Sequence, residues 1–209
     1  MPCVLVVFLC VCRYKAHTNS GCAVQDETET ATEEDVMLPL SETTEFIFSS
    51  GAGGRRTVMM LSSDGTFSGE FSDADMGDME ENYPNGTVYT CVFSGNFENM
   101  EKQFDGSYTM TLREITTEKE PGTEWIESGV RFIASGAYGL ENTDFDTGAT
   151  LSKEFVLYPP DTKVSELDEV FLSWWPERYT MGEMPETLGV YGIWNIDAKT
   201  GFFSQASDR

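Results

Sequence analysis

Histidine is almost absent from this chain: among 209 residues there is one, His17, close to the N-terminus. A folded domain that begins after it has no imidazole for a Ser-His-Asp triad, a Cys-His pair or a histidine-ligated zinc ion. The sequence also lacks a P-loop, a G-x-G-x-x-G loop after a strand and an H-E-x-x-H motif. We therefore expect a protein that is not an enzyme.

Basic residues are scarce, since 13 Lys and Arg stand against 36 Asp and Glu, for a formal net charge of −23. A negative field of this size repels phosphate backbones and anionic lipids, which argues against nucleic-acid binding and against binding to membrane surfaces. The acid is concentrated in two stretches without Lys or Arg, Asp26 to Glu45 and Thr57 to Glu101. The first is typical of a solvated tail. The second contains apolar runs and must belong to a folded region.

Cysteine is nearly missing from the part of the chain that can fold. Four of the five cysteines lie in the first 22 residues, and only Cys91 comes later. A single thiol makes no internal disulfide, so a disulfide framework is excluded. Cys91 stands in the middle of an apolar run, where we predict a small buried hydrophobic side chain.

No apolar run is long enough to span a bilayer, which takes about 20 residues. The run from Cys3 to Cys12 instead suits the core of a signal peptide. Ser20-Gly21-Cys22 then resembles the end of a bacterial lipobox, in which the cysteine carries the lipid anchor. A misassigned start codon and a buried strand are the alternative interpretations of this segment.

These features predict three parts: a signal peptide at 1–22, an acidic disordered tether at 23–44 and a β-rich domain at 45–209. The predicted location is extracytoplasmic, either secreted or lipid-anchored at the cell membrane. Contact with the membrane is expected only through a lipid on Cys22.

Short apolar and alternating runs separated by turn residues predict a mainly β domain. In Ser107 to Ile115, for example, Tyr108, Met110 and Leu112 share one side. Turns are indicated by Asp64-Gly65 and by Pro84-Asn85-Gly86. The nine predicted strands are Glu45–Ser49, Thr57–Leu61, Thr66–Phe71, Thr87–Phe93, Ser107–Ile115, Val130–Ala134, Phe155–Tyr158, Leu188–Ile193 and Gly201–Phe203.

Val164 to Leu172 departs from the β pattern, with apolar residues at helical spacing. Ser165 followed by Asp168 resembles a capping box, and Pro176 is expected to end the helix. Meandering antiparallel strands with one short helix predict a single antiparallel β-barrel of the lipocalin or calycin kind. A two-sheet β-sandwich is the alternative. Gly69 and Gly95, each beside an aromatic residue, fit sharply coiled strands.

Several local motifs resemble those of a known domain. They are Ser49–Gly53, Ser63–Gly69, Asp73–Asp78, Tyr83–Tyr89, Val164–Trp175 and Tyr191–Asn195. Together they resemble an uncharacterised extracytoplasmic domain of secreted proteins and lipoproteins from clostridia-like Gram-positive bacteria. The resemblance covers most of Phe46 to Phe203 and departs from the pattern at Arg55 and at an insertion, Glu141 to Leu151. It implies an extracytoplasmic location and no particular activity.

One acidic cluster is a candidate cation site, because calcium prefers several oxygen ligands on a tight loop. The order Gly77-Asp78 reverses the motif of the EF-hand loop, so an irregular calcium site is the remaining form. A solvated acidic loop is the alternative. The candidate ligands are Asp73, Asp75, Asp78 and Glu81.

Four aromatic residues near the C-terminus are candidates for a ligand platform, since amphipathic rings suit glycan and peptide surfaces. They are Trp174, Trp175, Tyr191 and Trp194. The alternative is that they pack the helix onto the barrel.

Three functional hypotheses remain. The first is a non-enzymatic extracytoplasmic binding or interaction domain for a small molecule, glycan or protein, with calcium as a stabilising ion. The second is a carboxylate-based glycan hydrolase, which requires two acids facing each other across a cleft. The third is a structural accessory lipoprotein without a ligand.

Overall fold

The computed structural model describes residues 36–41, 43–49, 54–144, 148–179 and 182–205. All of them belong to one compact unit of the chain, Asp35–Arg209. The strands are β1 (Thr44–Ser49), β2 (Arg55–Leu61), β3 (Thr66–Asp75), β4 (Thr87–Lys102), β5 (Tyr108–Thr117), β6 (Glu124–Glu127), β7 (Val130–Ala134), β8 (Glu141–Asp144), β9 (Gly148–Leu151), β10 (Glu154–Tyr158), β11 (Gly192–Asn195) and β12 (Thr200–Ser204).

Eight of these strands close into an antiparallel β-barrel in the order β1-β2-β3-β4-β5-β10-β11-β12. The last strand returns to the first, with Phe46 opposite Ser204 and Ile47 opposite Phe203. Closure removes the free edges that an open sheet of this size would expose. The predicted barrel with one short helix is confirmed, and the alternative two-sheet sandwich is wrong.

The barrel interior is filled with side chains. Alternate residues of each strand point inward, so that Tyr108, Met110 and Leu112 of β5 are buried on one side as predicted. Eight phenylalanines belong to this cluster of buried residues: Phe46, Phe48, Phe67, Phe71, Phe93, Phe97, Phe155 and Phe202. The predicted buried position of Cys91 is confirmed, because its side chain is 4% exposed and lies in the same cluster.

Two glycines make room for two of these rings. On the paired strands β3 and β4, Gly69 lies opposite Phe93 and Gly95 lies opposite Phe67. A Cβ atom would lie 2.6 Å from the Phe93 ring at Gly69 and 2.5 Å from the Phe67 ring at Gly95. Each phenylalanine therefore covers the glycine of the neighbouring strand, and the two strands coil tightly around the core.

One mouth of the barrel is closed by residues 36–41, which the sequence analysis placed in the disordered tether. Leu38 and Leu40 belong to the barrel core, with exposures of 3% and 6%. The backbone N–H of Leu38 donates to the Ser63 carbonyl at 2.8 Å, and the Tyr191 hydroxyl donates to the Pro39 carbonyl at 2.6 Å. The predicted tether is therefore too long. Burial of Leu38 and Leu40 removes their apolar surface from water, and the free energy gained favours the packed segment over a solvated one.

The segment after β7 packs near the opposite mouth, at the end where β11 ends and β12 begins. Leu140 is fully buried, and the Gly139 carbonyl accepts hydrogen bonds from Asn195 Nδ2 at 2.8 Å and from Thr200 Oγ1 at 2.9 Å. Thr57 Oγ1 donates to the next carbonyl back along the segment, that of Tyr138, at 2.8 Å. Buried polar side chains thus satisfy backbone carbonyls of this segment.

The predicted helix is shorter than expected. Residues Glu169–Ser173 form α1, between 3₁₀ turns at Val164–Glu166 and Pro176–Tyr179. The N-cap is Asp168, whose side chain accepts from the Val170 N–H at 2.7 Å, so the predicted cap at Ser165 is wrong. Asp168 is the better cap because an ionised acceptor also interacts favourably with the helix dipole.

The helix packs on the outside of the barrel. Phe171 of α1 is fully buried over Gly192 of β11 and Gly201 of β12, where a Cβ atom would lie 2.6 Å and 3.0 Å from its ring. It forms a second hydrophobic cluster with outward residues of the barrel strands, including Trp194 and Phe203. Strands β11 and β12 are therefore buried on both faces.

Two hairpins interrupt the meander between β5 and β10. Strands β6 and β7 form the first, and β7 attaches it to β4 in parallel at Thr87–Thr90. Strands β8 and β9 form the second, which coincides with the insertion expected at Glu141 to Leu151. Strands β6, β8 and β9 were not predicted, because four-residue strands rich in polar side chains carry little periodic signal.

Candidate ligand-binding cleft

The four predicted calcium ligands do not converge. Asp73 accepts a hydrogen bond from Arg55 Nε at 2.9 Å, which raises the pKa of the arginine. Asp75 accepts from the Gly77 N–H at 2.9 Å, and Asp78 lies 3.5 Å from Arg131. In the part of the chain that the structure describes, no three His, Cys, Asp or Glu side chains are placed to hold a metal ion. In this geometry two of the four acids are paired with arginines, and calcium binding by them stays a prediction.

Of the four residues of the predicted aromatic platform, two are buried and two are partly buried. Trp175 is 1% exposed and Trp194 is 8% exposed, both in the cluster under α1. Trp174 lies against Phe48, with ring centroids 4.9 Å apart, and its Nε1 donates to the Lys199 carbonyl at 2.8 Å. Burial raises the pKa of Tyr191, whose hydroxyl donates to the Pro39 carbonyl of residues 36–41. We call these residues, which close one mouth of the barrel, the strap. In this geometry the three tryptophans pack α1 onto the barrel, as the alternative interpretation expects, and ligand binding by these rings stays a prediction.

The surface feature that remains is the β6–β7 hairpin. Its turn, Ser128-Gly129, has φ angles of +52° and +76°, which suits a two-residue connection between twisted strands. The turn is held to the segment before β4, since the Asn85 N–H donates to the Gly129 carbonyl at 2.9 Å and Asn85 Nδ2 donates to the Ser128 carbonyl at 3.1 Å. The hairpin is therefore fixed against the barrel at its tip as well as along β7.

Trp125 of β6 and Phe132 of β7 face each other across this hairpin and stack, with centroids 5.2 Å apart and planes 11° apart. Neither ring belongs to the two hydrophobic clusters, and both are partly exposed. Beside them lies Val92 of β4, which is 50% exposed. The pair is an aromatic surface that the core does not use.

The cleft beside these rings arises because β4 changes its neighbour. Strand β7 pairs with β4 up to Thr90, and β5 pairs with it from Phe93 onward. The two neighbours diverge between these points, where the Glu118 N–H donates to the Val92 carbonyl at 2.9 Å and the Ser135 N–H donates to the Thr90 carbonyl at 2.9 Å. The resulting opening has a volume of about 260 Å³, and we call it the Trp125 cleft. Its lining residues are Thr90, Cys91, Val92, Glu118, Lys119, Trp125, Glu127, Phe132 and Ala134.

Two further clefts meet the first at Trp125. One, of about 370 Å³, lies over Lys119, Glu120 and Thr123. The other, of about 480 Å³, lies on the opposite face of the hairpin, beside Ile126 and Arg131. Trp125 therefore lines all three clefts, one of which lies on the opposite face of the hairpin.

The charge around these clefts is predominantly negative. Five glutamates line them against two basic residues; the glutamates are Glu80, Glu118, Glu120, Glu124 and Glu127, and the basic residues are Lys119 and Arg131. The Lys119 ammonium lies 5.1 Å from the centroid of the Trp125 ring. It also lies 3.9 Å from a carboxylate oxygen of Glu118. The structure thus contains one cation over this indole ring, beside a carboxylate.

Arg131 organises the other face of the hairpin. Its Nη2 donates to Glu124 at 2.8 Å, its Nη1 approaches Asp78 at 3.5 Å, and its guanidinium lies 5.5 Å from the Tyr83 ring centroid. The hydrogen bond to Glu124 raises the pKa of Arg131, and desolvation raises the pKa of Tyr83. These contacts hold β6 in place beside the cleft of about 480 Å³.

Sequence reasoning did not identify Trp125 or Phe132. The predicted platform contains the other three tryptophans of the chain, and those three pack α1. A usable signal was present in Glu124-Trp125-Ile126-Glu127, where an indole stands in a short acidic segment without a neighbouring apolar run. Such a tryptophan has few partners within its own segment.

No family model, curated protein or solved structure matches the chain. The resemblance to an extracytoplasmic domain therefore stays a prediction. Cys22 and the predicted signal peptide lie outside the described residues. Among the helices that the structure describes, none has the length and apolar character needed to cross a membrane.

Proposed function

We propose that this chain is a non-catalytic binding domain that acts outside the cytoplasm and binds its ligand on the outer surface of the barrel, in the Trp125 cleft. One observation carries the proposal: a stacked Trp125–Phe132 pair lies outside both hydrophobic clusters and lines a cleft of about 260 Å³. Aromatic rings of this kind dominate binding energies when a ligand covers them.

The packing of the barrel supports an external site. A ligand inside the barrel would have to displace phenylalanines and the two leucines of the strap, most of which are 5% exposed or less. Each such displacement costs as much as a large core substitution, about 2–5 kcal/mol. The Trp125 cleft already has an open volume of about 260 Å³, so binding there displaces mainly water.

The alternative of glycan hydrolysis finds less support. A glycosidase needs one carboxylic acid that stays protonated to donate to the leaving group. Glu118 lies 3.9 Å from Lys119, and Glu124 is hydrogen-bonded to Arg131 at 2.8 Å. Both carboxylates are engaged with cations, and they line different clefts. The same charges suit recognition of a polar or cationic ligand.

The extracytoplasmic location is part of the same proposal. We place the barrel outside the cytoplasm on the strength of the apolar run, the acidic stretch that follows it and the Ser20-Gly21-Cys22 motif. Intact-mass measurement of protein extracted from membranes tests the lipid anchor, because a diacylglyceryl adduct on a chain that begins at Cys22 has a unique mass. A mass that retains Met1 contradicts both export and lipidation.

The binding site is tested by NMR on the four tryptophan indole N–H signals, with Trp125 assigned from the Trp125→Phe variant. A screen of oligosaccharides and peptides should yield a ligand that shifts the Trp125 signal and leaves Trp174, Trp175 and Trp194 in place. Trp125→Ala should weaken this ligand at least about tenfold, since aromatic hot spots contribute about 2 kcal/mol or more.

The matched control is Phe104→Ala, which removes an exposed aromatic ring from the turn between β4 and β5. It should leave the affinity unchanged. A ligand whose affinity does not respond to Trp125→Ala, or which shifts only signals of the α1 cluster, contradicts the proposed site.

A further inference from the structure

Strand β6 is an edge. In the order of the large sheet it comes last, after β4 and β7, and among the described strands it has a neighbour on one side only. An exposed edge presents backbone N–H and C=O groups to any extended chain that approaches it. Edge strands of this type bind peptides by strand addition, in which main-chain hydrogen bonds supply affinity and side-chain pockets supply specificity.

The hairpin geometry decides which backbone groups face outward. Glu127 and Val130 flank the two-residue turn and form the first hydrogen-bonded pair, so Trp125 and Phe132 form the next. The residue between them, Ile126, and its alternate, Glu124, direct their N–H and C=O groups away from β7. The contact of Arg131, which lies opposite Ile126, agrees with this alternation, because its N–H donates to the Gly86 carbonyl at 3.0 Å rather than to β6.

The side chains at this edge favour a positively charged partner strand. Five glutamates line the three clefts around Trp125 against two basic residues. Ile126 is 47% exposed at the centre of the edge, and Lys119 already lies over the indole ring of Trp125. A partner strand that carries Lys or Arg places cations near the carboxylates and the ring face, since Cβ atoms of directly opposed residues are about 5 Å apart.

A second copy of this chain is a poorer occupant than a basic peptide. Pairing two β6 strands through their outward backbone groups would set Ile126 of one copy opposite Ile126 or Glu124 of the other, so neither copy offers a basic side chain to the acids of its partner. Cross-strand pairs of opposite charge, which stabilise two strands, are then not formed. The net charge of −23 adds repulsion between copies.

We infer that β6 binds an extended, Lys- or Arg-rich peptide segment by strand addition, with basic side chains in the Trp125 cleft and backbone hydrogen bonds to Glu124 and Ile126. This rests on the proposed function and deepens it, because it names the chemistry of the ligand for the same site. The barrel holds the edge rigid, so the peptide alone is ordered on binding.

The test uses the full chain and three heptapeptides: Lys-Val-Lys-Val-Lys-Val-Lys with blocked ends, the same peptide with Glu in place of Lys, and the Lys peptide N-methylated at every amide. The Lys peptide should shift the Trp125 indole signal and, at saturation, slow hydrogen exchange of the Glu124 and Ile126 amides at least about tenfold. The Glu peptide should not bind. The N-methylated peptide keeps every charge but donates no backbone hydrogen bond, so it should lose at least about tenfold in affinity.

Variants of the protein test the backbone hydrogen bonds and the attraction between charges separately. Ile126→Pro removes one outward N–H and no hydrogen bond of the hairpin, so it should weaken the Lys peptide several-fold with little change in Tm. Glu118→Gln combined with Glu127→Gln should weaken binding several-fold and reduce its salt dependence. Glu166→Gln is the control, because the Glu166 side chain is 60% exposed and lies beside the helix. This variant should change neither the affinity for the Lys peptide nor its salt dependence.

Three outcomes overturn the inference. If the N-methylated peptide binds within twofold of its parent, the attraction is electrostatic and no strand is added. If an oligosaccharide shifts the Trp125 signal and no basic peptide does, the ligand is of another class and the proposed binding site stands without this inference. If no probe of any class shifts that signal, the result contradicts the proposed function as well.

Discussion

The substitution Phe171→Ala tests how α1 is held on the barrel. Phe171 is fully buried, and its ring stacks on Phe203 at 4.8 Å and meets Tyr158 at 5.2 Å and Trp194 at 5.5 Å. Its ring also fills the space that two glycines leave on β11 and β12. Truncation to alanine therefore opens a cavity that neighbouring backbone is too rigid to fill.

The expected cost follows from these contacts. A buried phenylalanine replaced by alanine costs about 3–5 kcal/mol when the site does not collapse. For a domain of this size, each kcal/mol lowers Tm by about 2–4 °C, so Tm should fall by about 6–20 °C. Urea denaturation followed by circular dichroism and by tryptophan fluorescence measures both the free energy of unfolding and the cooperativity of the transition.

The control for this experiment is the neighbouring residue on the same helix. Val170 is 45% exposed, so Val170→Ala should change the free energy of unfolding by no more than about 0.5 kcal/mol. A cost below about 1.5 kcal/mol for Phe171→Ala would refute the reasoning, because it would mean that the ring is not the main contact between α1 and the barrel.

Three further predictions concern the barrel itself. Gly95→Ala should destabilise the protein by about 1–3 kcal/mol in urea denaturation, because the added methyl group overlaps the Glu114 carbonyl and the Phe67 ring; an unchanged midpoint would contradict the proposed packing. Leu38→Ala should cost about 2–5 kcal/mol, whereas a solvated tether would show almost no effect. Hydrogen bonds from Ser107 lower the pKa of Asp105, so its contribution to stability is complete above about pH 4 and is lost as pH falls through the folded pKa; Asp105→Asn should make the acid dependence of the urea midpoint shallower.

The calcium hypothesis has a direct test of its own. Since Asp73 and Asp78 face arginines, exchanging a chelator for millimolar calcium should shift Tm no more than magnesium does at equal ionic strength. A shift specific to calcium would show that these carboxylates rearrange around a cation that the described geometry does not accommodate.

Local patterns predicted much of the barrel. Strand β7 begins and ends at the predicted residues, and the turn glycines Gly65 and Gly86 have φ angles of +84° and +92°, as Asp-Gly and Asn-Gly turns require. Strands β3 and β4 extend beyond their predicted ends, because β3 pairs with β4 as far as Asp75 and β4 pairs with β5 as far as Lys102, well past the apolar runs. Pairing partners are not encoded in either segment alone.

The candidate site shows the opposite balance. Nothing within Glu124–Glu127 indicates that β7 will attach to β4 in parallel, or that β5 and β7 will diverge beside Val92. For the same reason, the sequence around Trp174, Trp175 and Trp194 does not show that these rings are covered by other elements. The local sequence of a tryptophan does not predict whether another element packs on it. Exposure is a property of the assembled surface.

The sequence by itself determined the class of the domain, the positions of its turns and the charge of its surface, because dihedral preferences, alternation and ionisation depend on residues within a few positions of one another. Only the tertiary structure decided which rings are covered, which acids are neutralised by arginines and which strand is left at an edge. These depend on contacts between residues far apart in the chain, whose pairing is settled when the barrel closes.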